Sequence, residues 1–265
     1  MANYATAATP VSPPSPLLAL TELPRALLEF GSLGPAAVPL LALSPRGDGH
    51  PVMVLPGFVT SDMSTSILRR FLDRLGYDAH PWNLGRNLGP KAIGWQGEKL
   101  TKRLDEVHRA TGKKVSLVGW SLGGVMARQL SRRLPDAVRQ VISLGSPFAG
   151  TPKATNVWRA YETLTGHKID SEDLRAQLRE SATPPPVPST AIYTREDGIV
   201  AWQNCVEPES AETDNIEVHG SHCGLGVNPS VLYAIADRLA QAEGEWQRFD
   251  RSGIKSIVYP AAGHA

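Results

Sequence analysis

The stretch GWSLGG at residues 119–124 follows the apolar run KKVSLV and precedes a helical pattern. No other feature of the chain restricts its fold as tightly. An apolar run without polar alternation reads as a strand buried on both faces. Leu122, Val125, Met126, Leu130 and Leu134 then line one face of a helix. Between them lies one serine flanked by glycines, so G-x-S-x-G falls in the strand–turn–helix context that gives it meaning. A turn that sharp forces unusual dihedrals on Ser121 and lifts its hydroxyl above the sheet. Gly119 and Gly123 keep the neighbouring backbone clear. The helix N-terminus beneath directs N–H groups toward developing negative charge.

The rest of the chain repeats this alternation. PVMVLPG (51–57) reads as a buried strand, 63–76 as a helix, YDAHPW (77–82) as a strand and 93–107 as a helix. KVSLVG (114–119) and VRQVISLGSP (138–147) are strands either side of the helix after Ser121. Such alternation implies a mostly parallel sheet with helices on both faces and right-handed crossovers. The pattern breaks at 150–187, where two amphipathic helices, about 153–165 and 171–180, read as an insertion. STAIYT (189–194) and NIEVHG (215–220) restore strands, and Asn228-Pro229 opens a last helix. The expected organisation is an N-terminal extension at 1–45, partly mobile or packed on the core, and one α/β domain at 46–265.

A serine hydroxyl needs a base to become a nucleophile, and the base needs an orienting acid. In this kind of fold the chain order is serine, acid, histidine. Asp197, in YTREDGIV, follows a strand at the sheet edge where ligands bind, and a glycine after it permits a tight turn. Glu196 is its rival. His222, in the loop VHGSHCGLG, can reach a nucleophile from a loop, whereas its rival His219 ends a strand. Two backbone N–H groups must receive the oxyanion. The expectation is Leu122, after the serine, and Phe58, in the loop LPGF after the first buried strand.

Five blocks in order, VLPGF, GWSLGG, LGSPFAG, DGIV and GSHCGLGVNP, resemble bacterial esterases and lipases of the α/β-hydrolase fold, in the triacylglycerol-lipase-like group. The resemblance spans about residues 50–242. It implies Ser121 as nucleophile, Asp197 as acid, His222 as base, and Phe58 and Leu122 as oxyanion donors. It implies a carboxylic-ester hydrolase working through an acyl-enzyme on short to medium hydrophobic esters. An acyltransferase using the same acyl-enzyme is the alternative, and no sequence feature separates the two.

The 150–187 insertion is expected to be a lid. Trp158, Tyr161, Leu164 and Leu174 are candidates for an acyl pocket, with Trp120 and Phe148 in its wall; packing of lid on core would use the same residue types. Cys205 and Cys223 flank the acid and histidine loops, and two readings stand for them: a disulfide tying the loops, or two thiols. Neither has metal-ligand spacing, and no cofactor is called for. The net charge of +1 with mixed acids and bases gives no reason to expect nucleic acid as a partner. The N-terminal stretch lacks a basic lead and is interrupted by proline, unlike a signal peptide. Glu22, Arg25 and Glu29 break its apolar run, so no span is expected and a cytoplasmic protein is the default. The segment Leu17–Leu43 stays open to a peripheral membrane contact or a homodimer contact.

Overall fold

A computed structural model describes residues 11–169 and 171–260, without the side chains of 173–175, 177 and 178. In chain order the elements are α1 (Pro16–Leu43), β1 (Pro51–Leu55), α2 (Ser66–Leu75), β2 (Asp78–Pro81), α3 (Pro90–Ile93), α4 (Glu98–Thr111), β3 (Val115–Trp120) and α5 (Leu122–Arg133). There follow β4 (Val138–Leu144), α6 (Trp158–Thr165), α7 (Glu172–Ala182), β5 (Ser189–Tyr193), β6 (Thr213–Glu217), α8 (Pro229–Leu239) and α9 (Lys255–Val258).

The six strands form one sheet in the order β2-β1-β3-β4-β5-β6. Every pairing is parallel, with Leu55 of β1 beside Gly119 of β3. The continuous apolar runs have a direct cause: both faces are covered. Val52 and Val54 pack with Leu68 and Leu72 of α2 and with Leu232 and Ile235 of α8. Met53 and Leu55 point the other way, toward Leu100 and Leu104 of α4 and Met126 and Leu130 of α5. Strand order reverses at β1, since β2 lies on one side and β3 on the other. In an open parallel sheet that reversal leaves a crevice beyond the carboxyl ends of the two strands, where ligands bind. Phe58 follows β1 and Ser121 follows β3 at this crevice. The α8 start is as expected, with Pro229 at the first turn and the Asn228 side chain accepting from Ser230 N–H.

The N-terminal segment departs from expectation. Where the sequence suggested an extension partly mobile or packed on the core, residues 16–43 form a single helix of 28 residues running through Pro24, Pro35 and Pro39. Each interior proline removes a backbone hydrogen bond, so the helix owes its continuity to docking rather than propensity. Ser15 caps it, accepting from Leu18 N–H at 3.3 Å. By length and composition α1 is long and apolar enough to cross a membrane, contrary to the sequence expectation. Its charges do not break the helix because they face inward: Glu22 is buried, while Leu17, Leu20, Leu23 and Leu27 are exposed. The segment after 250 packs back on the body through Tyr259, which is buried edge-on against Phe249 and donates to Ser230 O at 2.8 Å.

Candidate active site

Ser121 stands between β3 and α5 with φ 51° and ψ −120°. A non-glycine residue in such a region stores strain of about 1–3 kcal/mol, held only by surrounding packing. That packing is close. A Cβ on Gly123 would lie 2.5 Å from the Leu55 carbonyl oxygen, and one on Gly119 would lie 2.4 Å from Gly124 backbone atoms. Glycine at both positions is therefore a steric requirement of the elbow.

The two expected oxyanion donors lie at this elbow. The backbone N–H groups of Phe58 and Leu122 bond to none of the described residues. The Phe58 loop is held by Asn87, a residue the sequence did not single out. Asn87 is fully buried, donates through Nδ2 to Pro56 O at 2.8 Å, and exchanges backbone bonds with Val59 and Thr60 at 2.8 Å each. Its signal, the second of two asparagines in the glycine-rich stretch NLGRNLG, is no different from that of any turn asparagine.

Asp197 and His222 come from the loops after β5 and β6, at the carboxyl edge of the sheet. Asp197 Oδ2 lies 2.6 Å from His222 Nδ1. Its Oδ1 accepts from the backbone N–H groups of Ile199 and Val200 at 2.8 and 2.7 Å, which fixes the carboxylate in the loop. Both residues are buried. With Nδ1–H donating to Asp197, the other ring nitrogen, Nε2, is left as the basic one. Burial opposes the imidazolium, but the charge and hydrogen bond of Asp197, aided by the charge of Glu22, outweigh it. The His222 pKa is held above its ordinary value. Ser121 Oγ bonds to none of the described residues, as is common before a substrate draws nucleophile and base together. The elbow and the histidine loop are nonetheless joined, since Trp120 Nε1 donates to His222 O at 3.1 Å. The rivals Glu196 and His219 are accounted for by each other, pairing at 2.9 Å on the exposed side of the loops.

An apolar pocket of about 150 Å³ opens beside the serine, with Phe58, Ser121, Leu122, Met126, Trp158 and Tyr161 in its lining. The Phe58 and Tyr161 rings pack against each other in its wall, with centroids 5.3 Å apart. Three of the wall expectations are corrected. Phe148 is fully buried under the Arg128 guanidinium, 3.8 Å from its ring centroid, and is core rather than wall. Leu164 is 43% exposed, on the outer side of α6. Trp120 is turned to the histidine loop, packing where Gly226 leaves room for its ring. The Leu174 side chain lies outside the described residues. Ile93, Trp95 and Ile169 also line the pocket and went unremarked as pocket residues in the sequence: Ile93 reads there as a core-facing helical residue, and a single apolar residue in a loop, as Trp95 and Ile169 are, carries no directional signal.

The disulfide reading is also corrected. Cys205 and Cys223 are both free. Cys205 turns back on its own turn, toward Ala201 O at 3.8 Å. Cys223 lies by Glu22, whose carboxylate accepts its backbone N–H at 2.9 Å, and burial with that charge pushes its thiol up to about 12.

A family model for lecithin:cholesterol acyltransferase matches residues 96–184, a segment that carries Ser121 but stops before Asp197 and His222. Among solved structures, the chain is similar to the monoacylglycerol lipase of Paleococcus ferrophilus, at TM-score 0.54 and 15% identity, over 74% of this chain and 96% of that one. Lipase B of Aspergillus fumigatus aligns at TM-score 0.56 and 20% identity over 77% of this chain, which spans only 56% of that lipase. The pyrethroid hydrolase PytH aligns at TM-score 0.53 and 17% identity, over 74% and 99% of the two chains. With a six-stranded sheet of this order and a strained serine elbow beyond its third strand, the chain belongs among proteins of the α/β-hydrolase fold.

Proposed function

We propose that this protein is a serine carboxylic-ester hydrolase that works through an acyl-enzyme on short to medium hydrophobic acyl esters. The observation that carries the reading is the 2.6 Å Asp197–His222 contact at the same sheet edge as a strained Ser121 with unpaired N–H groups beside it. Ser121 Oγ attacks the ester carbonyl carbon while His222 Nε2 takes its proton. The carbonyl oxygen, now an anion, receives the Phe58 and Leu122 N–H groups. Collapse expels the alcohol, to which His222 returns the proton. Water then attacks the acyl-enzyme by the same route, and His222 passes the proton to Ser121 as the acid leaves. Asp197 holds the ring and stabilises its cationic form throughout.

The insertion between β4 and β5 acts as the lid. Its α6 supplies Trp158 and Tyr161 to the apolar pocket, which suits an acyl chain better than a polar group. The test is a p-nitrophenyl ester series from acetate to octanoate, with Ser121→Ala as control. The expected loss in the variant is about 10⁴-fold or more in kcat. A wild-type protein that hydrolyses no member of the series, and is not labelled on Ser121 by a fluorophosphonate, would sink the reading. Adding alcohol acceptors to the same assay reads the acyltransferase alternative, through ester product formed at the expense of free acid.

A further inference from the structure

Two residues of α1 are buried, and one of them is a carboxylate. Glu22 is 2% exposed on a helix whose neighbouring leucines face solvent. A carboxylate is buried at high cost unless it is fully hydrogen-bonded. Its partners are specific. Oε1 accepts from Gly198 N–H at 2.6 Å and from His222 N–H at 3.2 Å, and Oε2 accepts from Cys223 N–H at 2.9 Å. Gly198 directly follows Asp197, and His222 N–H is the amide of the base itself. One carboxylate thus grips the acid loop and the histidine loop together.

The rest of the contact has the same address. Arg25 pairs with Glu22 at 3.0 Å and donates to Glu196 O at 2.8 Å and Gly220 O at 3.4 Å. Glu29, two turns on, accepts from Ser221 N–H at 2.7 Å and Ser221 Oγ at 2.6 Å, and from Asn228 Nδ2 at 2.9 Å. The approach is so close that a Cβ on Gly198 would lie 2.4 Å from Leu18 backbone atoms. A helix serving only to cover the body would need apolar contacts, which α1 makes near its other end through Leu33, Leu40 and Leu41. Its polar contacts fall instead on the two loops that carry Asp197 and His222.

We propose that Glu22 is a positioning residue for the catalytic pair, holding the Asp197 and His222 loops in register from the N-terminal helix, with Glu29 bracing the histidine loop behind it. This rests on the ester-hydrolase reading for its kinetic consequences but not for its geometry. The charged groups facing His222 are Asp197 from the loop after β5 and Glu22, backed by Arg25, from α1. Trp120 and the Cys223 thiol beside it are neutral. The anion of Glu22 therefore also favours the imidazolium that forms when Ser121 loses its proton.

Glu22→Gln keeps the shape but turns an amide NH₂ toward backbone N–H donors. The expected result is a kcat at least about tenfold lower, since small misplacements of catalytic groups are costly, with KM for a soluble ester nearly unchanged. The acid limb of the kcat/KM profile moves to lower pH. The His222 ring, titrated by NMR in Ser121→Ala with and without Glu22→Gln, shows a lower pKa when the carboxylate is gone. Leu20→Ser, on the exposed face of α1, leaves all of these unchanged. Glu29→Gln lowers kcat without moving the acid limb, and stands in if Glu22→Gln does not fold. An unchanged kcat in the folded Glu22 variant, or in the Glu29 variant if the former is unfolded, overturns the proposal, as does an unchanged His222 titration. A wild-type protein without esterase activity overturns the hydrolase reading instead, and the NMR titration still decides the role of Glu22.

Discussion

Ser116, His50 and Asp48 form a fully hydrogen-bonded serine–histidine–aspartate set outside the candidate active site, with His50 Nε2 2.9 Å from Ser116 Oγ and His50 Nδ1 2.5 Å from Asp48. Its serine is wholly buried within β3, with no strained backbone. The comparison separates what makes a nucleophile from what makes a cross-link: access, an elbow and oxyanion donors, rather than the three side chains. Burial is the largest influence on His50 and holds its pKa below the ordinary value, so the ring is neutral and ties β3 to the turn before β1. His50→Ala is expected to cost about 1–3 kcal/mol of stability by orphaning its partners, seen in urea unfolding, with full activity per folded molecule. Asp197→Asn is expected to do the reverse and lower kcat by about 10⁴-fold while the protein stays folded. The pH dependence follows from His222. The base must be neutral, so kcat/KM falls as pH drops through its pKa, which lies above the ~6.5 of a free imidazole. A pH–rate profile with its acid limb below that value would contradict the Asp197 and Glu22 arrangement. The placement of Ser121, Asp197 and His222 at one edge was legible in the sequence because each sits in a loop after an expected strand, and a parallel sheet gathers such loops at its carboxyl edge. Glu22 was not. In a helix pattern a carboxylate among leucines reads as an interruption, and only the fold reveals which face carries it.

At the scale of elements, the strands and the helices packed on them were the readable part. Val52 through Leu55 and Val115 through Val118 are apolar at every position but Ser116, a pattern with few alternatives to a doubly covered strand. The insertion was readable as helical but not in its boundaries. Its first helix starts at Trp158, because residues 152–157 are taken up by turns around a single bridge from Thr155 to Val200. That offset brings Trp158 and Tyr161 over the pocket and leaves Leu164 on the outer side. Trp158→Ala is therefore expected to raise KM for octanoyl esters several-fold and to change acetate hydrolysis little, a split read from the same ester series. The two cysteines show the limit of proximity in sequence. Their loops meet at the active site, yet Glu22 lies beside one thiol while the other points into its own turn. Both thiols are expected to resist iodoacetamide at pH 8 in the native protein and to react fully once it is denatured without reductant.

At the scale of the whole molecule, a buried ion pair and its hydrogen bonds join the elbow helix to the end of the insertion. Arg128 of α5 pairs with Glu207 with both side chains fully buried, and it donates to Ser181 O at 2.9 Å and Thr183 O at 2.8 Å at the end of α7. Glu207→Ala leaves that guanidinium without its counter-ion, and the expected cost is about 3–5 kcal/mol, measurable as a lower urea midpoint. The helix α1 has a consequence of another kind, in time rather than space. The contacts of Glu22 bridge 176 to 201 residues of chain. A ribosome makes this helix well before it makes either loop. Until those loops have been made, α1 has nowhere to place its carboxylates. The loops that carry Asp197 and His222 therefore reach their final setting only after they have been made and have met a helix that has been waiting for them.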